Sequence, residues 1–434
     1  MTLRFPICLA VLASVAAAPA LAQDDEQPAT PQTVAMEMFG LANQALESED
    51  HETARRLLEA ALDLKPGHPA VLRGLLTVAL RAGHAGDAFH ALERMADAGI
   101  AYDPSRAAEL LRSADAARYE ALADRLGVNG EAVGSAEVVA RIDRSGALIE
   151  GVAVDIETDR LFLSSVSGRE ILMLEPFARD EPVVFADRED GLWSVFGLAV
   201  DDRSRLVWAG SAATDQTPLD EGESGGTALF AFDLVTGELY RRYEIDGAVQ
   251  IADFVVRDGI VYASDSQAPR VYALNDISGE LELLAADPRF VSLQGVALAR
   301  GALYVADYAT GLWRIDLGDG GVSLVRAGDE SLIGIDGLRQ TRDGRLLAVR
   351  NGTRPHQVMA IDLDDSGHAV AATEILLRGH PHMGGETGEP TLIDPADGRA
   401  WLVANAAWPF YSANEDDRPA GGPAPTVILE MDLE

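Results

Sequence analysis

The sequence predicts a multidomain, mainly β protein in which a six-bladed β-propeller follows a short α-helical repeat domain. Two observations carry this prediction. A phrase of two short apolar strands joined by a turn recurs six times from Glu150 onward, at intervals of 42 to 56 residues, which is the length of a four-stranded propeller blade. Upstream of it, two helical segments align with an offset of 34 residues, the period of helix–turn–helix repeats.

The repeated phrase is clearest between Ile335 and Asn351. Leu338 opens a short strand, Arg342-Asp343-Gly344 supplies a turn in which glycine adopts a positive φ, and Leu346 to Val349 form the return strand. In each of the six phrases a dipeptide precedes the first strand. The dipeptides are Glu150-Gly151, Phe196-Gly197, Ala252-Asp253, Gln294-Gly295, Asp336-Gly337 and Glu389-Pro390.

The N-terminus has the features of a secretory signal peptide. Arg4 precedes an apolar run from Ile7 to Ala18, and Ala20-Leu21-Ala22 forms a cleavage site before an acidic stretch. The apolar run is too short to span a membrane. We therefore predict a signal peptide over residues 1–22, a polar linker over residues 23–32, and a periplasmic or secreted mature protein.

Composition excludes several functional classes. The chain has 434 residues, 47% of them apolar, so it is long enough to bury more than one core. It carries 70 acidic side chains against 35 basic ones, and this negative field disfavours binding to nucleic acid or anionic lipid. The only cysteine, Cys8, lies in the predicted leader, so we expect no disulfide or thiolate site in the mature protein. No later stretch is apolar enough for a membrane span.

Residues 33–128 are predicted to form the helical domain, followed by a linker over residues 129–134. Because the domain has few helical repeats, we expect it to pack against the propeller; the alternative is that it forms a peptide-binding groove. Lys65-Pro66-Gly67 ends one helix, and a third helix pair is expected from Ser105 to Leu126. The positions that align in a pattern resembling tetratricopeptide repeats are Leu41 with Leu75, Leu46 with Leu80, Ala54 with Ala88, and Ala61 with Met95.

The predicted propeller covers residues 135–434, and its ring needs a closing strand. Ser135 to Arg144 has the alternating pattern of a single strand with no hairpin partner nearby. Thr426 to Leu433 forms a strand after the first two strands of the sixth phrase. Because an incomplete blade leaves strand edges exposed, we predict that Ser135 to Arg144 is the outer strand of the blade that begins at Glu389.

Hairpin geometry predicts a polar ring at one mouth of the channel. In an antiparallel hairpin, the start of the first strand and the end of the second lie at the same edge. Such a ring of oxygen atoms suits a hard cation such as Ca²⁺ or Mg²⁺. The alternative for Asp265, Asp307 and Asn405 is that they close turns through backbone amides. The predicted ring consists of Glu150, Asp253, Gln294, Asp336 and Glu389 at strand starts, and Ser164, Asp265, Asp307, Asn351 and Asn405 at strand ends.

Three phrases resemble the senescence marker protein/gluconolactonase/luciferin-regenerating family of six-bladed propellers. They are LIEGVAVDIETDRLFLSS, SLQGVALARGALYVADY and GIDGLRQTRDGRLLAVRNG, and the likeness spans residues 148–434. It implies a divalent cation held by Glu150 and Asp336, and lactone hydrolysis with Asp336 as general base. Where the family has two asparagine ligands, this chain has Ala252 and Gln294. The closing phrase GEPTLIDPADGRAWLVANAAW and the helical domain are more similar to an exported bacterial branch of the family.

The resemblance leaves Glu150, Gln294 and Asp336 as the expected ligands of the cation. Ca²⁺ is the expected ion, with Mg²⁺, Mn²⁺ and Zn²⁺ as alternatives.

Three loops are expected over the same mouth, at residues 212–226, 378–387 and 408–423. In the second loop, His380, His382 and Glu386 are candidates for metal binding or acid–base work, and the alternative is that they are ordinary exposed loop residues. Aromatic side chains that could face a sugar or another ring, or simply pack, are Trp193, Tyr308, Trp408 and Tyr411.

Two functions remain open at this point. The first is a divalent-cation-dependent hydrolase of the lactonase type, in which Asp336 or its neighbour Asp307 moves the proton. The second is a non-catalytic propeller that binds a ligand or a protein, in which the missing asparagines record a lost metal site. The sequence identifies neither the small-molecule substrate nor a protein partner.

Overall fold

The computed structural model describes residues 31–64, 68–144, 146–257, 259–275, 278–328, 330–385, 388–412 and 418–433. The predicted signal peptide lies outside these residues, as do residues 23–30 of the predicted linker, Lys65-Pro66-Gly67 and Glu386. No helix in the described ranges is long and apolar enough to cross a membrane.

Helices occupy the N-terminal part of the described chain. Helices α1 and α2 pack against each other, as do α3 and α4, which confirms two helix pairs; that they are tetratricopeptide repeats stays a prediction. The helices are α1 (Pro31–Glu47), α2 (His51–Leu64), α3 (Pro69–Ala82), α4 (Ala85–Asp97) and α5 (Ala108–Val128).

The core of the helical domain forms around the aligned small residues. Ala54 and Ala88 are fully buried, whereas Leu41 is 51% exposed. The third pair expected from the sequence falls within α5, which is two helices separated at Asp115, where the backbone is extended (φ −158°, ψ 97°). The Asp115 carboxylate accepts a hydrogen bond from the Arg118 backbone N–H at 3.0 Å, which caps the second half of the helix.

In the described part of the chain the strands form six four-stranded antiparallel sheets, each a propeller blade. Blades one to three are β2 (Ile149–Asp155), β3 (Arg160–Ser165), β4 (Glu170–Leu174) and β5 (Val183–Ala186); β6 (Ser194–Asp201), β7 (Leu206–Ala212), β8 (Thr227–Asp233) and β9 (Leu239–Glu244); and β10 (Ile251–Arg257), β11 (Ile260–Asp265), β12 (Arg270–Leu274) and β13 (Leu281–Ala285).

Blades four to six continue the same hairpin order. They are β14 (Leu293–Ala299), β15 (Ala302–Asp307), β16 (Gly311–Asp316) and β17 (Val322–Leu324); β18 (Ile335–Gln340), β19 (Leu346–Arg350), β20 (Gln357–Leu363) and β21 (Val370–Arg378); and β22 (Ile393–Ala396), β23 (Arg399–Val403), β24 (Thr426–Asp432) and β1 (Glu137–Ile142).

The six first strands form the inner ring. Each contacts the first strand of the next blade, and β22 contacts β2. The N-terminal strand β1 pairs with β24, with Ile142 opposite Thr426, and is the outermost strand of the sixth blade. The predicted closure by residues 135–144 is therefore confirmed, and it joins the two ends of the propeller sequence in one sheet.

Apolar side chains fill the spaces between neighbouring blades. The cluster between the fourth and fifth blades, for example, includes Tyr304, Ile335 and Met359, all nearly or fully buried. Burial of this apolar surface is the main force that holds the blades face to face. The polar starts of the inner strands are left to line the channel.

Arg378 at the end of β21 joins the propeller to the helical domain. Its guanidinium donates hydrogen bonds to the carbonyl oxygens of Val128 (2.9 Å) and Glu131 (2.7 Å). Val128 is the last residue of α5, so a positive charge lies at the negative end of the helix dipole. This contact anchors the predicted linker at residues 129–134 on the fifth blade.

Candidate functional site

Bulges shape the inner strands where they enter the channel. Between β18 and β19, Ile335 pairs with Arg350, but the next pair is Leu338 with Ala348, so one extra residue lies in β18. Equivalent shifts occur in β2, β6, β10 and β14. In four of these five strands the bulge contains the X-Gly dipeptide of the repeated phrase, and a bulge re-aims the side chain that precedes the glycine.

Glycine is needed in the bulges because neighbouring blades touch there. A Cβ atom on Gly295 would lie 2.2 Å from the Leu338 backbone nitrogen and 2.4 Å from the Asp336 carbonyl oxygen. A Cβ on Gly151 would lie 2.7 Å from the Phe196 carbonyl oxygen. These distances exclude any larger residue without movement of the backbone.

Side-chain hydrogen bonds then connect blade to blade around the mouth. Each donor is a side-chain hydroxyl or amide of one blade, and each acceptor is a backbone carbonyl at or just before the first strand of the next blade. Because these groups are buried or partly buried, each bond fixes the relative position of two blades. The bonds are Ser164 Oγ to Phe196 O (2.5 Å), Ser264 Oγ to Gln294 O (2.5 Å), Asn351 Nδ2 to Pro390 O (2.9 Å) and Thr391 Oγ1 to Glu150 O (2.6 Å).

Glu150 lies in this ring and is 8% exposed. Its Oε2 atom accepts a hydrogen bond of 2.5 Å from the indole N–H of Trp408. Burial raises the pKa of Glu150 well above its ordinary value, and the negative charges of Asp336, Glu389 and Asp253 raise it further. Glu150 is therefore under the negative charge of carboxylates on the third, fifth and sixth blades; that these residues form a functional site stays a prediction.

Asp336 and Glu389 complete an acidic cluster with Glu150. Asp336 Oδ2 accepts a hydrogen bond from Asn351 Nδ2 at 2.7 Å. Burial, followed by the charge of Glu389, raises the pKa of Asp336 to about 7. Burial likewise raises the pKa of Glu389 to about 7, opposed by the positive charge of Arg354. Three carboxyl groups from the first, fifth and sixth blades thus lie close enough to influence one another, and we call them the acidic cluster.

Asp253 has a different role from the acidic cluster. It is 1% exposed and forms a bidentate ion pair with Arg339, with 2.8 Å between Asp253 Oδ1 and Arg339 Nη2. Burial raises the pKa of Asp394 to about 6, and the positive charge of the same Arg339 opposes this rise. Arg339 of the fifth blade is therefore paired with the third blade, and its charge also acts on Asp394 of the sixth; the sequence predicts a role for neither Arg339 nor Asp394.

Three residues predicted for the ring close turns instead. Asp307 accepts hydrogen bonds from the backbone N–H groups of Val291 (2.6 Å) and Ala309 (2.9 Å). Asp265 accepts four such bonds, and Asn405 Oδ1 accepts one from Val427 at 2.7 Å. The proton transfer predicted for Asp307 has no support in these contacts, because backbone amides already hold its carboxylate.

Gln294 and Ala252 lie in the fourth and third blades. The Gln294 amide donates to Ser292 Oγ at 3.1 Å, and Ala252 has no side-chain donor atom. Within the described ranges, no three acidic, histidine or cysteine side chains already form a metal site. The donor chemistry nevertheless fits a hard cation, because Asn351 bonds Asp336 of the acidic cluster through Nδ2 and its Oδ1 is a buried amide oxygen without a hydrogen-bond partner.

The histidine loop lies beside the mouth. His382 Nε2 is 2.9 Å from Arg141 Nη2, and the rings of His380 and His382 are 5.8 Å apart. Burial lowers the pKa of His380. A pocket of about 250 Å³ is lined by His382, glycines 384, 385 and 388, Asn405 and Ala407. Two of its lining residues, Gly388 and Ala407, directly precede Glu389 and Trp408 in the chain.

Aromatic side chains cover the same region. Trp408 stacks on Phe196 with ring centroids 6.5 Å apart, and burial together with the charges of Glu389 and Asp336 raises the pKa of Tyr308. Tyr308 therefore faces the acidic cluster as a neutral phenol. Trp193 donates from Nε1 to the Ser224 carbonyl oxygen at 3.2 Å and holds the loop at residues 212–226.

No family model matches the chain, and no curated protein matches it either. Solved structures match it over most of the propeller. A gluconolactonase from Xanthomonas campestris is 16% identical with a TM-score of 0.44, and the match covers 70% of this chain and 98% of the other. The calcium-binding protein regucalcin from Agrobacterium tumefaciens is also 16% identical, with a TM-score of 0.44 and coverage of 68% and 95%.

A third structure shows how widely this similarity extends. The aldose sugar dehydrogenase of Streptomyces coelicolor, solved with bound PQQ, is 16% identical with a TM-score of 0.43 and coverage of 70% and 99%. A hydrolase, a calcium-binding protein and a dehydrogenase thus match equally well. With TM-scores below 0.5 and identities of 16%, these matches identify neither a reaction nor a ligand for this chain.

Proposed function

We propose that this protein is an exported hydrolase that opens lactone-type esters at the channel mouth with the help of a divalent cation. One observation carries the proposal: Glu150, Asp336 and Glu389 come together from three blades in a largely enclosed, polar mouth. Groups with strongly shifted pKa values that meet in a cleft are typical of acid–base sites.

Asp336 is the residue that fits the general base. Its pKa of about 7 lies near neutral pH, where a base is both present in its charged form and able to accept a proton from water. Asn351 donates a hydrogen bond to Oδ2 at 2.7 Å, so Oδ1 is the oxygen that would accept the proton from water. The proton can then pass to the leaving alkoxide, so that ring opening of a lactone needs no other proton source.

Glu150 and Asp336 would hold the cation, with Gln294 as the third ligand expected from the sequence. A bound divalent cation polarises the ester carbonyl as a Lewis acid. Trp408 orients Glu150 through the bond at Oε2. The pocket of about 250 Å³, lined by Gly388 and Ala407 next to Glu389 and Trp408 in the chain, is large enough for a small ring.

The test is a hydrolysis screen of γ- and δ-lactones by proton release, with and without Ca²⁺, Mg²⁺, Mn²⁺ and Zn²⁺. We expect Asp336→Asn to lower kcat by at least about a hundredfold, the usual contribution of a general base, while the fold is kept. Asp343→Asn is the matched control, because Asp343 lies at the other end of the same hairpin with a 58% exposed side chain. Equal rates for Asp336→Asn and the wild type would contradict the proposal.

A second candidate function is binding without catalysis, and one observation favours it. The helical domain has a groove of about 310 Å³ lined by Arg55, Arg94 and His90 together with Glu59, Asp63 and Asp87. Such a mixed charge pattern suits a peptide with both signs of charge. If no lactone is hydrolysed, a peptide array tested against the isolated protein and against Arg94→Ala would decide for or against this groove.

Export is part of the proposal and has its own test. The predicted leader has an apolar run and a small-residue cleavage site. Cleavage after Ala22 in the natural host would give a mature chain that begins at Gln23. A full-length chain retained in the cytosol would contradict export without affecting the hydrolase proposal.

A further inference from the structure

We propose that the cation site is built from three consecutive blades, with Glu389 of the sixth blade and Asn351 Oδ1 of the fifth joining Glu150 and Asp336. This inference rests on the proposed function for the presence of a cation, and it replaces Gln294 as the third ligand. The ligands then lie on one side of the channel instead of around its axis.

Asn351 provides the first argument. Its Nδ2 donates to two acceptors, Asp336 Oδ2 at 2.7 Å and the Pro390 carbonyl oxygen at 2.9 Å. Both partners are acceptors, so the amide orientation is fixed by its hydrogen bonds. Its Oδ1 is then a buried acceptor with no partner among the described residues, and a buried polar atom of this kind needs a donor or a cation.

Glu389 provides the second argument. Its backbone is held firmly, because its N–H donates to the Ala406 carbonyl oxygen (3.1 Å) and its own carbonyl oxygen accepts from the Ala406 N–H (2.8 Å). Its carboxylate forms no salt bridge with any residue that the structure describes, since Arg354 donates to the Gly385 carbonyl oxygen instead. The side chain is half-buried, and no ion pair among the described residues holds its carboxylate away from a cation.

The other blades offer no equivalent ligand. Asp253 of the third blade is already paired with Arg339. Gln294 of the fourth blade donates from its amide nitrogen to Ser292 Oγ at 3.1 Å, and its amide oxygen, unlike Asn351 Oδ1, is not a buried atom without a partner. The second blade has Phe196 at the corresponding position. Within the described part of the ring, the fifth, sixth and first blades are therefore the ones whose strand starts carry a carboxylate outside an ion pair, and the fifth adds a buried amide oxygen without a partner.

The links between these blades fit the same arrangement. Asn351 bonds the fifth blade to Pro390 of the sixth, and Thr391 bonds the sixth to Glu150 of the first. Three carboxylates and an amide oxygen make an oxygen-only set with a charge of −3, which favours Ca²⁺ and trivalent lanthanides over Zn²⁺. The glutamate side chains have free torsions through which a cation can draw them together.

Terbium luminescence tests this inference without any substrate. Trp408 Nε1 lies 2.5 Å from Glu150 Oε2, so a Tb³⁺ ion bound by Glu150 is close enough to receive energy from the indole. We expect saturable sensitised emission that Ca²⁺ suppresses by competition. Trp408→Phe should strongly reduce the emission, while Tb³⁺ still raises the unfolding temperature of that variant.

Two variants separate the new ligand set from the expected one. Glu389→Gln keeps the side-chain shape and should weaken Tb³⁺ binding by about tenfold or more, because affinity at such sites follows the number of ligand charges. Gln294→Ala should change it by less than about twofold, the effect of a residue outside the ligand set. Circular dichroism on each variant establishes that the ring is folded.

The outcomes distinguish this inference from the hydrolase proposal. Tb³⁺ binding that depends on Gln294 but not on Glu389 would overturn the inference and leave the hydrolase proposal intact. Binding that depends on Glu389 in a protein without lactonase activity would support the inference and count against the hydrolase. Absence of Tb³⁺ and Ca²⁺ binding to the wild type would overturn the inference, whereas a cation-free hydrolysis would still be measurable.

Discussion

The unpaired carboxylate of Glu389 makes a prediction about stability as a function of pH. The pKa of Glu389 is raised from an ordinary 4.5 to about 7 in the folded protein. The native state therefore binds this proton more tightly than the unfolded state, so the associated stability is complete below about pH 4.5 and is lost as the pH rises through about 7. At 1.36 kcal/mol per pKa unit, the loss above pH 7 is at most about 3 kcal/mol.

Glu389→Gln removes this titration and keeps the shape of the side chain. We expect the variant to match the wild type at pH 4 and to exceed it at pH 8, in chelator, by up to about 3 kcal/mol in the free energy of unfolding. Urea unfolding followed by tryptophan fluorescence is the suitable assay, because all five tryptophans lie in the propeller and none in the helical domain. The two pH values bracket the whole titration.

The control for this experiment is Glu374→Gln. Glu374 has a 60% exposed side chain and pairs with Arg345 on the outer surface of the fifth blade, so its removal should change stability by less than about 1 kcal/mol at either pH. A Glu389→Gln variant that is no more stable than the wild type at pH 8 would refute the reasoning. It would mean that Arg354 or solvent already neutralises the Glu389 charge in the folded protein.

Two further variants test the ring itself. Asp253→Asn leaves the buried guanidinium of Arg339 without a carboxylate and should lower the free energy of unfolding by about 3–5 kcal/mol. Replacement of both residues by leucine should restore most of this stability in the same urea assay. Gly295→Ala should prevent ring closure, because its Cβ would meet the Leu338 nitrogen at 2.2 Å, whereas Gly86→Ala, with open space around it, should be neutral or stabilising by about 1 kcal/mol. Circular dichroism distinguishes the two alanine variants, and native-like signals for both would mean that the bulges can separate.

The fold could be predicted from the sequence because its signals are local and repeated. Each blade repeats one hairpin phrase. The sixth blade lacks a fourth strand of its own, so the isolated strand at residues 137–142 could be placed beside β24. The inner-strand dipeptides predicted the positions of Glu150, Asp336 and Glu389 in the same way. In the helical domain, the 34-residue alignment located the buried Ala54 and Ala88, but the exposed Leu41 shows that one aligned position does not face the core.

The roles of the strand-end residues could not be predicted in the same way. Asn351 and Asn405 occupy equivalent positions at the ends of second strands, yet Asn351 donates to Asp336 while Asn405 bonds the backbone of Val427. The choice depends on whether the next turn presents a free N–H group, which is set by loop conformation and not by strand position. Asp307, like Asn405, accepts hydrogen bonds from backbone N–H groups. The sequence could not show that the residue predicted as a general base is held in this way.

Arg339 was missed for a different reason. Sequence reasoning assigned only the first residues of the inner strands to the channel, and Arg339 lies near the end of β18. Its long side chain nevertheless reaches Asp253 in the third blade. Pairing across the channel is a long-range contact between residues 86 positions apart in the chain, and no local pattern in either strand indicates it.

The acidic cluster lies where the ring closes, and this links the fold to the proposed site. Glu150 belongs to the first blade and Glu389 to the sixth, which is completed by the N-terminal strand β1. Thr391 crosses this junction to bond the Glu150 carbonyl oxygen at 2.6 Å. Mutual repulsion of the carboxylates acts to open the ring at this junction, whereas a cation shared between Glu150 and Glu389 would hold it closed. On this reasoning, binding at the mouth and closure of the propeller stabilise each other.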